Sequence, residues 1–252
     1  MKKIKFGIVG IGRIGKIHLN NIVTRIDNAD VVAIADPKID SETIKTINKL
    51  GVKKVFSSCE ELVSDKSIDS IIISSPSSLH SEQISLACKN VKNIFCEKPI
   101  DLNLIKIKNI LKLVKKYNIN FMLGFNRRFD PNFLKVKHLV ESGEIGDPQI
   151  IKITSRDPGP PPLEYIKTSG GLFLDMASYI GDNMSFYLDH QFNEMNPVTA
   201  VEPKNIEAMV RNAGIKILGN SPASVTVDFY IELPPHSSLN SAGEKYIDAD
   251  YL

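Results

Sequence analysis

Residues 5–15, KFGIVGIGRIG, constrain the start of this chain more than any other stretch. An apolar run breaks there into three glycines, Gly10, Gly12 and Gly15, and the missing side chain has a different use at each. Gly10 lets the chain leave a strand through a tight turn, Gly12 leaves room for a pyrophosphate beside the backbone, and Gly15 lets the next helix pack closely. The start of that helix, with Arg13 and Ile14 in its first turn, offers N–H groups and a positive dipole end to an anion. Glycines fall into this spacing by chance in many chains, so the flanks decide.

The flanks agree. Ile4 to Val9 reads as a buried strand, and Ile14, Ile17, Leu19, Ile22 and Val23 follow a helical period. Val31 to Ala35 is a second apolar run, closed by Asp36. Asp36 follows Gly15 by about 20 residues, the place from which an acid accepts hydrogen bonds from the ribose hydroxyls of a dinucleotide. Strand, turn, helix, strand and acid in that order predict a dinucleotide site. The acid also disfavours a 2′-phosphate, so NAD is expected over NADP; Lys38 nearby argues the other way.

The bulk properties exclude several classes. A net charge of +2 over 252 residues gives no argument for a nucleic-acid or membrane partner. The densest basic cluster, Lys106, Lys108, Lys112, Lys115 and Lys116, reads as the wet face of one helix. No run of about 18 apolar residues could span a bilayer, and the interrupted N-terminal stretch does not read as a signal peptide. Cys59, Cys88 and Cys96 are odd in number and lack metal-ligand spacing. They are expected to be reduced packing residues of a cytoplasmic protein that holds no metal.

The expected fold class is α/β, a doubly wound parallel sheet over 1–123 followed by a shortened α+β open-sheet domain over 124–252. In the first part, helices are expected at 41–50, 79–89 and 103–117, with a capping box of Ser57 and Glu60 starting another. Strands are expected at 68–74, 94–96 and 121–123, and Leu104, Ile107, Leu111 and Val114 form the inner face of the last helix. In the second part, helices are expected at 133–140 and 172–188 and strands at 149–154 and 224–233. A proline-dense loop, DPGPPPLEY, lies between.

Two further clusters fall just after strands, where open α/β sheets place their ligands. One holds Ser74, Ser75, Pro76 and His80, and the other Glu97, Lys98 and Pro99. Lys98 is either a solvated strand-end lysine or, beside a nicotinamide, a donor that stabilises the alkoxide as hydride leaves.

The glycine fingerprint, SSPSSLH (74–80), FCEKPI (95–100), GFNRRFDP (124–131) and GGLFLDM (170–176) together resemble the glucose–fructose oxidoreductase/inositol dehydrogenase/rhizopine catabolism family, in order and in spacing, as far as about Leu188. The resemblance implies a Rossmann domain, then an open, largely antiparallel sheet that builds the oligomer interface and covers the nicotinamide. It makes Lys98 the catalytic lysine of an E-K-P motif, with a candidate cis Lys98–Pro99 bond. Ser75, His80 and Glu97 join the glycine turn and Asp36 as cofactor-binding candidates, and Asn126, Arg127, Ser155 and Asp157 match positions that line a polyol pocket. The other side of the argument for Arg127 and Arg128 is surface charge pairing.

The sequence departs from the family pattern twice. Inositol dehydrogenases place Asp and His four residues apart on one helix face; here Asp175 is followed at that distance by Tyr179. In a minority branch a tyrosine at this place is the proposed acid/base, and Lys98 nearby would have to lower its pKa from about 10. Tyr179 is otherwise a packed residue on a helix that has lost its catalytic group. The likeness also stops near Asp189, which leaves less sheet domain than the family carries. The resemblance thus implies NAD-dependent oxidation of a cyclic polyol or sugar hydroxyl, with Lys98, Asp175 and Tyr179 catalytic, in a cytoplasmic homo-oligomer. The alternatives are an NAD-binding regulatory protein without turnover and a structural subunit of a hetero-oligomer.

Overall fold

The computed structural model describes residues 3–146, 150–156, 165, 169, 216–221 and 224–232. It divides into two compact units, the first built on Met1–Phe125 and the second beginning at Asn126.

The first unit alternates β1 (Ile4–Val9), α1 (Arg13–Arg25), β2 (Ala29–Ala35), α2 (Ser41–Lys49), β3 (Lys54–Phe56), α3 (Cys59–Ser64), β4 (Ser70–Ile73), α4 (His80–Ala87), β5 (Asn93–Cys96), α5 (Leu104–Lys116) and β6 (Asn120–Leu123). The six strands form one sheet in the order β3-β2-β1-β4-β5-β6, every pairing parallel. This is the Rossmann order, which reverses direction between β1 and β4 and opens a crevice beyond their carboxyl ends. Central parallel strands are covered on both faces and therefore read as continuous apolar runs. Ile71, Ile72 and Ile73 of β4 are 0%, 5% and 0% exposed. Each fully buried isoleucine contributes about 1.5–3 kcal/mol relative to an exposed one. Two buried clusters cover the two sheet faces, one around Leu62, Ile71, Ile73 and Ile84, the other around Ile8, Leu19, Ile34 and Ile72.

The elements follow the sequence pattern with local corrections. The helix start expected at Ser57 and Glu60 lies one residue on: Ser58 caps α3 by accepting from Glu61 N–H, and the Glu61 carboxylate accepts from the N–H and hydroxyl of Ser57. Both serines satisfy the S-x-x-E pattern, and the cap goes to the one that leaves Cys59, Leu62 and Val63 facing the core. On α5 the innermost residue is Ile110, whereas Leu104 is 37% exposed because it sits in the first turn, beyond the sheet. Asn103 caps that helix by accepting from Ile105 and Lys106 N–H, and the five lysines of the wet face are all exposed. Strand β3, three residues long, carries too few residues to show a period.

In the second unit a 3₁₀ turn at Asn126–Phe129 leads into α6 (Pro131–Glu141), capped by Asp130 accepting from Asn132 N–H with Pro131 in the first turn. Strands β7 (Ile150–Arg156), β8 (Lys216–Ser221) and β9 (Ser224–Glu232) form an antiparallel sheet in the order β7-β9-β8. Strands β7 and β9 answer the expected runs, while β8, with Gly219 and Asn220 inside it, carries no alternating signal. The helix expected at 172–188 lies outside the described residues.

Candidate active site on the carboxyl edge of the parallel sheet

The hydrogen-bond ladder of the parallel sheet continues one residue past five of its strands, at Asp36 after β2 (N–H to Phe56 O, 3.1 Å) and at four further strand ends. Gly10 N–H donates to Ala35 O, Ser74 N–H to Val9 O, Glu97 N–H to Ile73 O and Gly124 N–H to Cys96 O, each at 2.8 Å. These bonds line up the glycine turn, the SSPSSLH segment, the E-K-P segment and the start of GFNRRFDP along one edge.

Each glycine of the turn has its own constraint. Gly10 has φ +86, and a Cβ there would lie 2.6 Å from Ser75 N, so both conformation and space demand glycine. A Cβ on Gly15 would collide with the Gly10 carbonyl oxygen, so this glycine lets α1 close onto the turn itself. A Cβ on Gly12 would meet nothing within 4 Å. Gly12 is also the N-cap of α1 and brings no side-chain cap, and the first turn carries no acid. The N–H groups at Arg13, Ile14 and Gly15 therefore face an open cradle that a side chain at Gly12 would fill, which fits a dinucleotide pyrophosphate.

Asp36 ends β2 with both carboxylate oxygens engaged by backbone. Ile11 N–H donates to Oδ2 at 2.9 Å and Lys38 N–H to Oδ1 at 2.8 Å. The first bond ties the acid to the glycine turn, and each oxygen keeps a further lone pair for a ribose hydroxyl. Ser75 donates its hydroxyl to Gln83 Oε1 at 2.6 Å. His80 is 1% exposed, and both its ring nitrogens face backbone carbonyls: Nδ1 lies 2.6 Å from Pro99 O and Nε2 2.8 Å from Ser75 O. Both ring nitrogens of His80, a cofactor-binding candidate in the sequence, thus have partners within the protein.

Glu97, Lys98 and Pro99 are all half-buried at the end of β5, and the Lys98–Pro99 peptide is cis. Glu97 Oε1 lies 2.7 Å from His18 Nε2 on α1; since a carboxylate only accepts, Nε2 is the donor. The His18 ring also stands edge-on to Phe95, with centroids 5.2 Å apart. Beyond Pro99, the buried Asp101 accepts from Ser81 Oγ and from Asn103 N–H. Just before the segment, burial and the neighbouring Glu97 charge push the Cys96 thiol well above its ordinary pKa. His18, Gln83, Ser81 and Asp101 were invisible as site residues in the sequence. The one available signal is positional: His18 sits one helical turn after Gly15, on the helix that opens at the cradle.

The substrate candidates fall on the second unit. Asn126 and Arg127 are exposed in the 3₁₀ turn, and the Arg127 guanidinium lies over the Phe133 ring, 5.2 Å from its centroid. Ser155 belongs to β7, opposite Val227 of β9. Asp157, Asp175 and Tyr179 lie outside the described residues.

Comparison with known proteins agrees with this geometry. Residues 4–125 match the model of the GFO/IDH/MocA oxidoreductase family, NAD-binding Rossmann fold, and residues 133–231 that of the GFO/IDH/MocA C-terminal domain. The chain is 41% identical over 192 residues to a myo-inositol 2-dehydrogenase of Thermotoga maritima, covering 76% of this chain and 57% of that protein. It is 38% identical over 237 residues to the uncharacterized oxidoreductase YrbE of Bacillus subtilis, covering 89% of this chain and 69% of that one. Among solved structures it resembles scyllo-inositol dehydrogenase from Lactobacillus casei with bound NAD(H) and scyllo-inositol. That match has a TM-score of 0.67 and 38% identity, over 74% of this chain and 56% of the other. The chain thus spans little more than half the length of two of these three relatives. It belongs to the GFO/IDH/MocA oxidoreductase family, whose NAD-binding Rossmann domain it carries over residues 4–125.

Proposed function

We propose that this protein oxidises a hydroxyl of a cyclic polyol, an inositol in the first instance, to a ketone with NAD as hydride acceptor. The observation that carries the reading is the row of segments at the sheet edge, in which the Lys98 segment shares the edge of the glycine turn with only the Ser74 segment between them. The similarity to a myo-inositol and a scyllo-inositol dehydrogenase supports the substrate class.

The open cradle at Gly12 and the N–H groups of Arg13, Ile14 and Gly15 hold the pyrophosphate, and Asp36 accepts from the ribose hydroxyls. When bound, the nicotinamide supplies a hydride acceptor at C4. Lys98 donates a hydrogen bond to the substrate oxygen and stabilises the charge that develops there as the carbon loses hydride. Tyr179, as its phenolate, takes the hydroxyl proton and becomes the phenol, and Asp175 orients the ring of the substrate. Asn126, Arg127, Ser155 and Asp157 supply the short donors and acceptors that a many-hydroxyl substrate requires. The same reading places the protein in the cytoplasm as a homo-oligomer. Among the described residues no helix is long and apolar enough to cross a membrane.

The test is NADH absorbance with myo-inositol, scyllo-inositol and a panel of sugars, beside a direct titration of NAD binding. Turnover with an inositol is expected. NAD binding without reduction by any polyol would overturn the reading in favour of a non-catalytic binder.

A further inference from the structure

Lys98 is bracketed by two histidines from two different helices. On its N-terminal side His18 of α1 donates to Glu97 across 2.7 Å. On its C-terminal side His80, the first residue of α4, reaches Pro99 O across 2.6 Å. The opposite ring nitrogen of His80 reaches Ser75 O across 2.8 Å, in the loop packed against Gly10. The next residue of α4, Ser81, donates to the buried Asp101 carboxylate. We propose that His80 and His18 are positioning residues that fix the Glu97–Pro99 backbone, and hence Lys98, relative to the glycine turn.

Imidazole suits the place of His80 for a geometric reason. It is a flat, rigid ring with two nitrogens pointing in nearly opposite directions. One side chain can therefore lie against two backbone segments at once and hold them at a set separation, its ring nitrogens 2.6 Å from Pro99 O and 2.8 Å from Ser75 O. His80 is 1% exposed, so its ring nitrogens meet these two carbonyls rather than solvent. His18 does the corresponding work from the helix that opens at the cradle: its ring is wedged against Phe95, and Glu97 is closely backed by Gly124, where a Cβ would lie 3.0 Å from Glu97 Oε2. Cofactor helix and lysine segment are thereby joined by a side-chain bond as well as by the sheet. A reacting group displaced by about 1 Å loses about 100-fold in rate, which is the scale on which such anchoring matters.

This inference rests on the proposed function for its kinetic arm only. In the full chain, His80→Phe removes both ring nitrogens, His80→Gln restores one N–H donor, and His18→Asn shortens the other anchor at a partly exposed site. Expected for His80→Phe is a kcat loss of about 100-fold with the NAD dissociation constant within about 3-fold of the parent, and partial recovery in His80→Gln. Hydrogen exchange followed by mass spectrometry should show faster exchange in peptides covering 97–103, with the β1 peptide unchanged. If His80→Phe does not fold, His18→Asn decides, with an expected kcat loss of about 10-fold and faster exchange at 97–98. Parental exchange at 97–103 in folded variants, or equal losses of NAD affinity and kcat, would overturn the proposal. If the parent chain reduces no NAD with any polyol, the functional reading fails, and the exchange measurements still decide the positioning role.

Discussion

The glycine turn and the Glu97–Asp101 segment lie on the same edge of one sheet and are built in opposite ways. The turn works by leaving side chains out. Gly10 takes a conformation and a proximity to Ser75 that no Cβ allows, Gly15 abuts the Gly10 carbonyl, and Gly12 faces open space. The lysine segment works by bringing side chains in: His18, His80 and Ser81 each bond to one of its residues. One structure therefore fails when an atom is added and the other when an atom is removed. A phosphate cradle needs backbone N–H groups bare, whereas a reacting lysine needs its neighbours held.

The largest expected effect tests the segment at its centre. Lys98→Met should lower kcat about 1000-fold while NAD affinity stays within about 3-fold, as for loss of one donor to a developing oxyanion. Equal losses in both would move Lys98 from chemistry to cofactor binding. Next comes addition to the turn. Gly15→Ala should cost about 3 kcal/mol or more in chemical denaturation and abolish NAD binding, since the colliding atom is backbone and cannot swing away. Deletion from the segment follows: Ser81→Ala leaves the buried Asp101 carboxylate short of a donor and should cost about 1–3 kcal/mol. Gly12→Ala sharpens the contrast, because the added methyl meets nothing in the protein. Stability should stay within about 0.5 kcal/mol, while calorimetric NAD affinity falls about 10-fold or more, the methyl now occupying the cradle.

The smallest effect is a control away from both regions. Bonds from Lys54 and Ser67 hold Asp65 down at about 2, below the usual 3.8. A depressed folded-state pKa contributes stability that is present above the unfolded value and is lost as pH falls through the folded one. Asp65→Asn should therefore flatten the melting temperature only between about pH 4 and pH 2, leaving kcat at pH 7 untouched. An altered kcat would show that this ion pair communicates with the sheet edge.

The same opposition explains what the sequence made legible. The turn is local: three glycines, a preceding strand and a following helix sit within a few residues, and Asp36 falls at a spacing set by one helix. Steric demands of that kind leave a residue-type signature in place. The segment is assembled from distant parts, with His18 and Glu97 79 positions apart, and nothing near either residue announces the partner. Likewise nothing beside His80 in the sequence announces that its ring nitrogens turn inward to Ser75 and Pro99. The misplaced cap of α3 has the same origin, since Ser57 and Ser58 are equivalent in sequence and only the core distinguishes them. The E-K-P segment, by contrast, was legible as a strand end, and Glu97 N–H does continue the ladder one residue past β5.

The three cysteines add a practical consequence. Cys59, Cys88 and Cys96 are free and buried, and burial raises all three thiols, Cys59 to about 12. None offers a thiolate to an alkylating reagent while the first unit stays closed. They sit on α3, just past the end of α4 and on β5, so the unit carries three built-in clocks of its own opening. Equal labelling rates would mean that it opens as a single cooperative body, and a faster Cys59 or Cys88 would show a helix layer peeling first. Saturating NAD should slow whichever clocks share the cradle's fate, which turns inert packing residues into a map of how far cofactor binding is felt.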